Sequence, residues 1–298
     1  MNRKDIFESW GSEYELNNPA EFFQMGSDYW RQELYKRKLL VFKRVKFERD
    51  YYVRLCSYFG KIWEHDDYVE SKERITYVPI NDREFSISYI SNKSSYIGMS
   101  EMPWHADIPN KPIGPFPHRA LWMVKNPNPE SGLTNWLNIE DIVDRLPPDL
   151  KELAGRMKII QQNWHTEDTG VQHFDFIKTH PITGKQSLRL NYYSDPKKKI
   201  TNGWIKNIVI DGEVKDNCGD YLEPFIDFAK SQPDMTYSHK WDNFDIIIYD
   251  NWPFIHNRTQ LKFDNNLERM FLRANIDHVE ESSWSSYKDS MRPYFNMD

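Results

Sequence analysis

Two histidines and one aspartate have the residue types and spacing of a metal site. One residue separates His105 from Asp107, and His256 lies far downstream. If residues 105 and 107 lie in a strand, their side chains share one face and can reach one metal ion. Two imidazoles and one carboxylate that leave coordination positions open are the ligands of non-haem Fe(II) oxygenases. Zinc binds a similar set in hydrolases, so the three residues alone leave both chemistries open.

Two arginines follow the third candidate ligand. Arg269 and Arg273 are four positions apart, so they share a face if they lie in a strand. A guanidinium group binds a carboxylate through two parallel hydrogen bonds, and Thr134 could add a hydroxyl donor. The arginines therefore favour an oxygenase with an acidic cosubstrate over a zinc hydrolase, and they suggest an acidic substrate.

The composition is that of a globular protein with a large aromatic core. Of the 298 residues, 39% are hydrophobic, 15% aromatic and 28% charged, and the net charge is −6. This charge argues against a nucleic-acid partner, and no apolar run is long enough for a membrane span. Two cysteines, Cys56 and Cys218, cannot form the disulfide framework of a secreted protein. We expect a cytoplasmic protein that acts on a small molecule, and apolar surface aromatics would be compatible with a homodimer.

Strands must position the candidate residues, and the hydrophobic pattern predicts many short ones. Residues 1–20 are polar and are predicted to be irregular, and residues 163–187 to be a long polar connection. Helices are predicted over 28–38, 48–60, 140–146 and 148–156. Strands are predicted over 39–43, 75–79, 85–90, 119–124, 134–137, 158–162, 187–191, 244–250 and 270–276. This succession favours a mainly β fold with flanking helices, a barrel or jelly roll, in one domain over residues 1–298.

The chain resembles the TauD/TfdA family of Fe(II)- and 2-oxoglutarate-dependent dioxygenases over most of its length. The fragments that carry the resemblance are Leu39-Leu40-Val41-Phe42, Phe59-Gly60, Trp104-His105-Ala106-Asp107, Gly132-Leu133-Thr134, His180-Pro181-Ile182-Thr183-Gly184 with Asn191, Trp241, Asp250-Asn251 with His256, and Arg269 with Arg273. The resemblance implies a double-stranded β-helix, or jelly roll, with flanking helices. One departure is Asn243-Phe244-Asp245, where the family commonly has Gly-Asp.

The resemblance also implies a role for each matching residue. The implied catalytic ligands of Fe(2+) are His105, Asp107 and His256, the implied residues for the distal carboxylate of the cosubstrate 2-oxoglutarate are Thr134 and Arg269, and the implied substrate-binding residue is Arg273. The second cosubstrate would be O2. Related halogenases have a small residue in place of the carboxylate ligand, so the intact Asp107 disfavours halogenation.

The substrate is less clearly indicated than the reaction class. By analogy with the family, segments 92–103 and 163–178 flank the mouth of the site, and Tyr96 and Met99 are predicted to contact a small aromatic or aliphatic substrate. The chain length and residues 103–110 look most like the oxygenases partnered with isocyanide synthases, the PvcB type. Those enzymes convert an amino-acid-derived, tyrosine-like isocyanide to a vinyl isocyanide by oxidative decarboxylation and desaturation.

Two other readings differ from this one. Within the family, the alternative is hydroxylation of a free amino acid or of a small sulfonate or aryloxy acid. A non-catalytic jelly-roll binding module with a vestigial metal site is a different class of function. That class predicts a broken metal triad or missing arginines, whereas the sequence has both.

Overall fold

The computed structural model describes residues 1–46, 49–62, 76–77, 87–93, 98–107, 118–161, 172–191 and 205–277. The α-helices within these ranges are α1 (Ala20–Gln24), α2 (Gly26–Arg37), α3 (Arg49–Ser57), α4 (Pro148–Arg156) and α5 (Cys218–Ser231), and Val143–Arg145 forms a 3-10 turn. The strands are β1 (Asn2–Asp5), β2 (Ser12–Glu15), β3 (Leu39–Phe42), β4 (Lys61–Ile62), β5 (Thr76–Tyr77), β6 (Ile87–Ser91), β7 (Met102–His105), β8 (His118–Lys125), β9 (Thr134–Asn138), β10 (Met157–Gln161), β11 (Gln172–Asp175), β12 (Ile177–Thr179), β13 (Gln186–Leu188), β14 (Ile205–Ile210), β15 (Glu213–Lys215), β16 (Thr236–His239), β17 (Ile246–Asp250), β18 (Phe254–Arg258) and β19 (Met270–Asp277). The described chain is therefore mainly β. None of its helices is long and apolar enough to cross a membrane.

A nine-stranded sheet forms the larger layer. Its strand order is β1-β2-β3-β17-β8-β19-β6-β5, and β4 also pairs with β19. Strand β17 lies near its centre and is buried on both faces. Ile246 and Ile248 pack with residues of α2 and α3, such as Trp30 and Tyr52. Because successive side chains of a strand alternate, Ile247 and its neighbours line the opposite, inner face.

A second sheet, with the order β16-β9-β18-β7, lies against that inner face. Trp136 of β9 and Phe254 of β18 pack with Ile247 of the larger sheet. On the other face of the second sheet, Leu137 and Ile255 belong to a third cluster, which includes residues of β10, β14 and α5. The layers therefore run from helices to the large sheet, the second sheet, and a third sheet with α5. The space between the first two sheets positions the candidate site.

Most of the predicted strands and helices are present, but the first twenty residues were predicted wrongly as irregular. They contain β1 and β2, which pair with each other, and β2 continues into the large sheet. The buried guanidinium of Arg37 stabilises this segment. It donates to Ser12 Oγ at 2.9 Å and to the carbonyls of Glu8 and Phe7 at 2.8 and 2.6 Å. These partners are distant in sequence, so local polarity could not reveal them.

The predicted and observed secondary structures also differ where side-chain hydrogen bonds or pairing with distant strands determine the backbone conformation. The helix predicted over 140–146 is only the turn Val143–Arg145. Asn138 Oδ1 accepts the backbone N–H groups of Glu140 and Asp141 at 3.0 and 3.1 Å, which directs the chain into a turn instead. The connection 163–187 contains β11 and β12, and α5 and β14 were not predicted. Of the strand predicted over 75–79, the structure describes only Thr76–Tyr77.

Candidate active site

Two histidines and one aspartate meet between the two inner sheets. His105, the last residue of β7, is paired directly with His256 of β18, and their ring centroids are 4.1 Å apart. Asp107 lies just beyond the end of β7. Only His105 of this pair therefore lies in the strand, although both side chains reach the same place. One ligand atom from each of the three residues lies within 4.8 Å of the others. This is close enough to bind one metal ion.

The orientation of His105 is fixed by its own strand. Its Nδ1 lies 2.9 Å from the carbonyl oxygen of Pro103. Because a carbonyl only accepts, the imidazole proton is on Nδ1, and Nε2 keeps its lone pair for a metal. The ring of His256 stacks on Trp136 at a centroid distance of 6.5 Å. Within the described residues, His256 Nδ1 is buried without a hydrogen-bond partner.

Two buried asparagines hold the backbone that carries Asp107. Asn191 Oδ1 accepts the N–H of Ala106 at 3.0 Å. Asn251 Nδ2 donates to the carbonyl of Asp107 at 2.8 Å, and Asn251 Oδ1 accepts the N–H of Asp107 at 3.4 Å. The loop after β7 is therefore held at successive residues, which limits the positions that the Asp107 carboxylate can adopt.

The electrostatics of the cluster match the protonation states that a divalent metal needs. Burial lowers the pKa of His256 to about 3, and the charge of His105 acts in the same direction. Burial also lowers the pKa of His105. Burial alone would raise the pKa of Asp107, but the charges of Arg119, His256 and Arg273 outweigh it and hold the pKa below its ordinary value. Two neutral imidazoles and a carboxylate are ready to bind a metal without losing a proton.

Two side chains of the large sheet that were not identified as site residues from the sequence contact Asp107. Tyr249 of β17 donates its hydroxyl proton to Asp107 Oδ2 at 2.9 Å. Arg119 of β8 places Nε 3.2 Å from the same oxygen. Arg119 lies in a strand that was predicted correctly. It is two and four positions from Leu121 and Met123, which face the inner cluster, and this spacing was the available signal.

A separate pocket surrounds Arg269. Its guanidinium donates from Nη2 to the carbonyl of Gly132 at 2.6 Å and lies over the ring of Phe271 at 4.5 Å. Trp241 packs edge-on against Phe271 and donates its Nε1 proton to Thr134 Oγ1 at 2.8 Å. Since Thr134 accepts this bond, its own hydroxyl proton is available for another partner.

Arg269 is a buried cation for which the described residues provide no counter-ion. No carboxylate of the described chain lies within 4.0 Å of its guanidinium, and its Nε has no hydrogen-bond partner there. Burial lowers the pKa of Arg269 to about 9, and the charge of Arg258 adds to this effect. A buried cation without a partner is costly, so an anion that binds here gains a strong interaction.

Strand register places this pocket beside the three candidate ligands. Trp136 pairs with His256, and two residues away Thr134 pairs with Arg258. Two residues along a strand span about 7 Å. Thr134 and Trp136 point to the same face of β9, so a five-carbon diacid could reach from the metal ligands to the pocket.

Comparison with known proteins identifies the family of this chain. The family of the taurine catabolism dioxygenase TauD and of TfdA matches residues 2–275. The chain belongs to the TauD/TfdA family. It is thus a non-haem iron dioxygenase that uses 2-oxoglutarate and O2, and its histidine–aspartate–histidine cluster suits such a metal. No curated protein matches the sequence.

Solved structures share the fold of this dioxygenase. The structure of AAD-2 in complex with Mn(II) and N-oxalylglycine is 17% identical, covers 94% of this chain and 98% of its own, and superposes with a TM-score of 0.65. A taurine dioxygenase from Burkholderia xenovorans is 18% identical over 92% of this chain and 90% of its own, with a TM-score of 0.62. PvcB from Pseudomonas aeruginosa is 16% identical over 90% of this chain and 86% of its own, with a TM-score of 0.64.

The remaining residues predicted for the dioxygenase's substrate lie in different places. Arg273 is on β19, and its Nη1 lies 3.7 Å from Asp107 Oδ1. Met99 is half-buried, and its carbonyl accepts the N–H of Leu261 at 3.0 Å, which places it near Gly132 and Arg269. Tyr96 lies outside the described residues. Among these three residues, only Arg273 is therefore seen beside the candidate metal ligands.

Proposed function

We propose that this dioxygenase binds Fe(II) through three side chains and 2-oxoglutarate through two. The iron ligands are His105, Asp107 and His256, and the distal carboxylate of 2-oxoglutarate is held by Thr134 and Arg269. The observation that carries the proposal is the buried guanidinium of Arg269, which has no counter-ion among the described residues and donates to Gly132, two residues before Thr134 on the strand beside His256. The two facing inner sheets support a double-stranded β-helix in a single domain over residues 1–298.

When bound, Fe(II), 2-oxoglutarate and O2 would supply the oxidising power for attack on a C–H bond, with succinate and carbon dioxide as co-products. The protein supplies orientation and a dry site. Arg269 anchors one end of the cosubstrate, and the neutral histidines keep their lone pairs available. Met123 and Phe271 belong to the apolar cluster on the inner face of the large sheet.

The proposed substrate is a small metabolite with a carboxylate or a similar acid group. Arg273 supports this choice, because its guanidinium is partly exposed and is only 3.7 Å from Asp107. A bound acid would be held close to the iron ligand, with its reacting carbon near the metal. As the specific reaction we propose oxidative decarboxylation with desaturation of a tyrosine-like isocyanide, which residues 103–110 and the shared fold with PvcB support. The shared fold with a taurine dioxygenase supports the alternative, hydroxylation of a free amino acid or of a small sulfonate or aryloxy acid.

The reaction class is tested by following cosubstrate turnover. The protein is incubated aerobically with Fe(II), ascorbate, 2-oxoglutarate and candidate acids, and succinate is measured. Without oxygen, Fe(II) and 2-oxoglutarate together should give a visible charge-transfer band, and His105→Ala should abolish it. Absence of both succinate and the band in the wild-type protein would contradict the proposal.

The two arginine roles are separated by their kinetic effects. Arg269→Ala should raise the 2-oxoglutarate concentration needed for half-maximal rate, whereas Arg273→Ala should mainly weaken substrate use. Arg145→Ala is the matched control, because Arg145 forms an exposed ion pair with Asp234 at 2.8 Å. The reverse pattern for Arg269 and Arg273 would show that their roles are exchanged.

The product distinguishes the two proposed reactions. Mass spectrometry of the product from a tyrosine-like isocyanide should show loss of carbon dioxide and two hydrogens. A gain of one oxygen, from this or another acid, would instead identify a hydroxylase.

A further inference from the structure

A row of polar side chains crosses the inner face of the large sheet. Tyr249 of β17 pairs with Arg119 of β8, and Arg119 pairs with Asn275 of β19. All three are almost completely buried, and on β17 and β8 the next residues on the same face, Ile247 and Leu121, are apolar. Burying a tyrosine hydroxyl and a guanidinium is costly unless both have partners. The partners of these three side chains therefore indicate the role of the row.

The row converges on one oxygen of Asp107. The hydroxyl of Tyr249 donates to Oδ2 at 2.9 Å, and Nε of Arg119 forms an ion pair with the same atom at 3.2 Å. Asn275 Oδ1 accepts a hydrogen bond from Arg119 Nη1, which fixes the guanidinium from the other side. The other carboxylate oxygen, Oδ1, has a longer contact, 3.7 Å from Arg273 Nη1. The two oxygens of Asp107 are thus held unequally.

We infer that Tyr249 and Arg119 are positioning residues that restrict Asp107 to binding the metal through one oxygen. The inference rests on the proposed role of Asp107 as an iron ligand. A carboxylate can bind a metal through one oxygen or through both. Oδ2 also faces a second proposed ligand, at 3.7 Å from His256 Nε2, so the hydroxyl and the guanidinium hold Oδ2 toward the metal position while Oδ1 faces Arg273. The coordination position that a second carboxylate oxygen would fill stays open for 2-oxoglutarate or O2.

The charge of Arg119 has a second consequence. The positive charge of Arg119 offsets the negative charge of Asp107, so it does not strengthen the attraction of the site for a metal cation. Loss of Arg119 should therefore leave metal binding intact or make it tighter, while the released carboxylate competes with 2-oxoglutarate for a coordination position. A residue that only stabilises the fold would, when replaced, weaken metal and cosubstrate binding together.

The experiment measures the two affinities separately. Co(II) is titrated anaerobically into the metal-free protein, and 2-oxoglutarate is then titrated into the Co(II) form, with the visible spectrum reporting the coordination geometry. The variants are Tyr249→Phe, which keeps the ring, and Arg119→Met. Lys125→Gln, an exposed residue at the end of the same strand as Arg119, is the matched control for loss of a positive charge.

In the two test variants we expect Co(II) binding no more than about three-fold weaker than in the wild type, with an altered Co(II) spectrum, and 2-oxoglutarate binding about ten-fold weaker. The control should match the wild type in both affinities. Unchanged 2-oxoglutarate affinity in Tyr249→Phe would overturn the inference, and so would a parallel loss of both affinities. If the wild-type protein itself does not bind Co(II), the ligand assignment fails and not the inference alone. Tyr249→Phe keeps the test decisive if Arg119→Met does not fold.

Discussion

Replacing Gly132 by alanine tests how the backbone shapes the proposed cosubstrate pocket. Gly132 has a φ of +65°, and its carbonyl accepts the hydrogen bond from Arg269. A Cβ atom at this position would lie 2.1 Å from Leu261 Cδ2 and 3.3 Å from Arg269 Cζ. The substitution therefore adds backbone strain, forces a buried leucine to move, and crowds the guanidinium that we assign to 2-oxoglutarate.

The expected magnitude has two parts. The left-handed backbone costs an alanine about 1–2 kcal/mol, and displacing the buried Leu261 costs about 1–3 kcal/mol more. Moving Arg269 by a few tenths of an ångström weakens a charge-assisted interaction that is worth roughly 1.5–3 kcal/mol. Loss of about 1.4 kcal/mol from it weakens 2-oxoglutarate binding roughly ten-fold.

Gly184 provides a matched control. Its φ is +69°, but a Cβ atom there would meet no atom within 4 Å. Gly184→Ala should show the backbone strain alone, so urea denaturation should give a smaller loss of stability than for Gly132→Ala. The affinity for 2-oxoglutarate should fall only in Gly132→Ala. Equal stability losses together with wild-type 2-oxoglutarate affinity in both variants would refute the reasoning about the pocket.

Three further substitutions test other parts of the structure. Trp241→Phe removes the donor to Thr134 and should raise the KM for 2-oxoglutarate roughly three- to ten-fold, and an unchanged KM would contradict the role given to this bond. Burial, with the charge of Arg189, lowers the pKa of Lys178 to about 7 from an ordinary 10.5. The folded state then binds fewer protons than the unfolded state between these pH values, so wild-type stability should rise with pH through this window. Lys178→Met should raise the Tm more at pH 6 than at pH 9, and equal changes at both pH values would disagree with this account. Arg37→Met removes the donor to the buried Ser12 Oγ and Gly11 carbonyl and to two half-buried carbonyls, so it should cost about 3 kcal/mol in urea denaturation, and a loss below about 1 kcal/mol would count against it.

Much of the fold follows from local pattern, and the exceptions have identifiable causes. Strand β17 is recognisable from its run of isoleucines, because a strand buried on both faces needs no polar residues. The hairpin of β1 and β2 is not recognisable, because its polar residues are held by Arg37 from another element. Side-chain hydrogen bonds from distant residues are invisible to a reading based on periodicity.

The candidate site likewise contains residues that the sequence indicates and residues that it does not. His105, His256 and Arg269 stand out because their residue types and spacing match a known chemistry. Tyr249 and Arg119 do not stand out, since a tyrosine and an arginine within strands have many ordinary roles. Only the register of β17 against β8 shows that they share a row and that this row ends at Asp107.

Because β7 and β18 carry two of the proposed metal ligands, metal binding should depend on complete folding of the chain. His105 and His256 come from distant parts of the sequence, and the chain between them forms much of the second and third sheets. Contacts between such distant segments form slowly, because a long loop must close first. A metal ion that needs both histidines can bind tightly only after this closure, so it stabilises the native state by mass action and leaves earlier states unaffected. The rate at which refolding chains become able to bind the metal tightly should therefore equal the rate at which β18 pairs with β7.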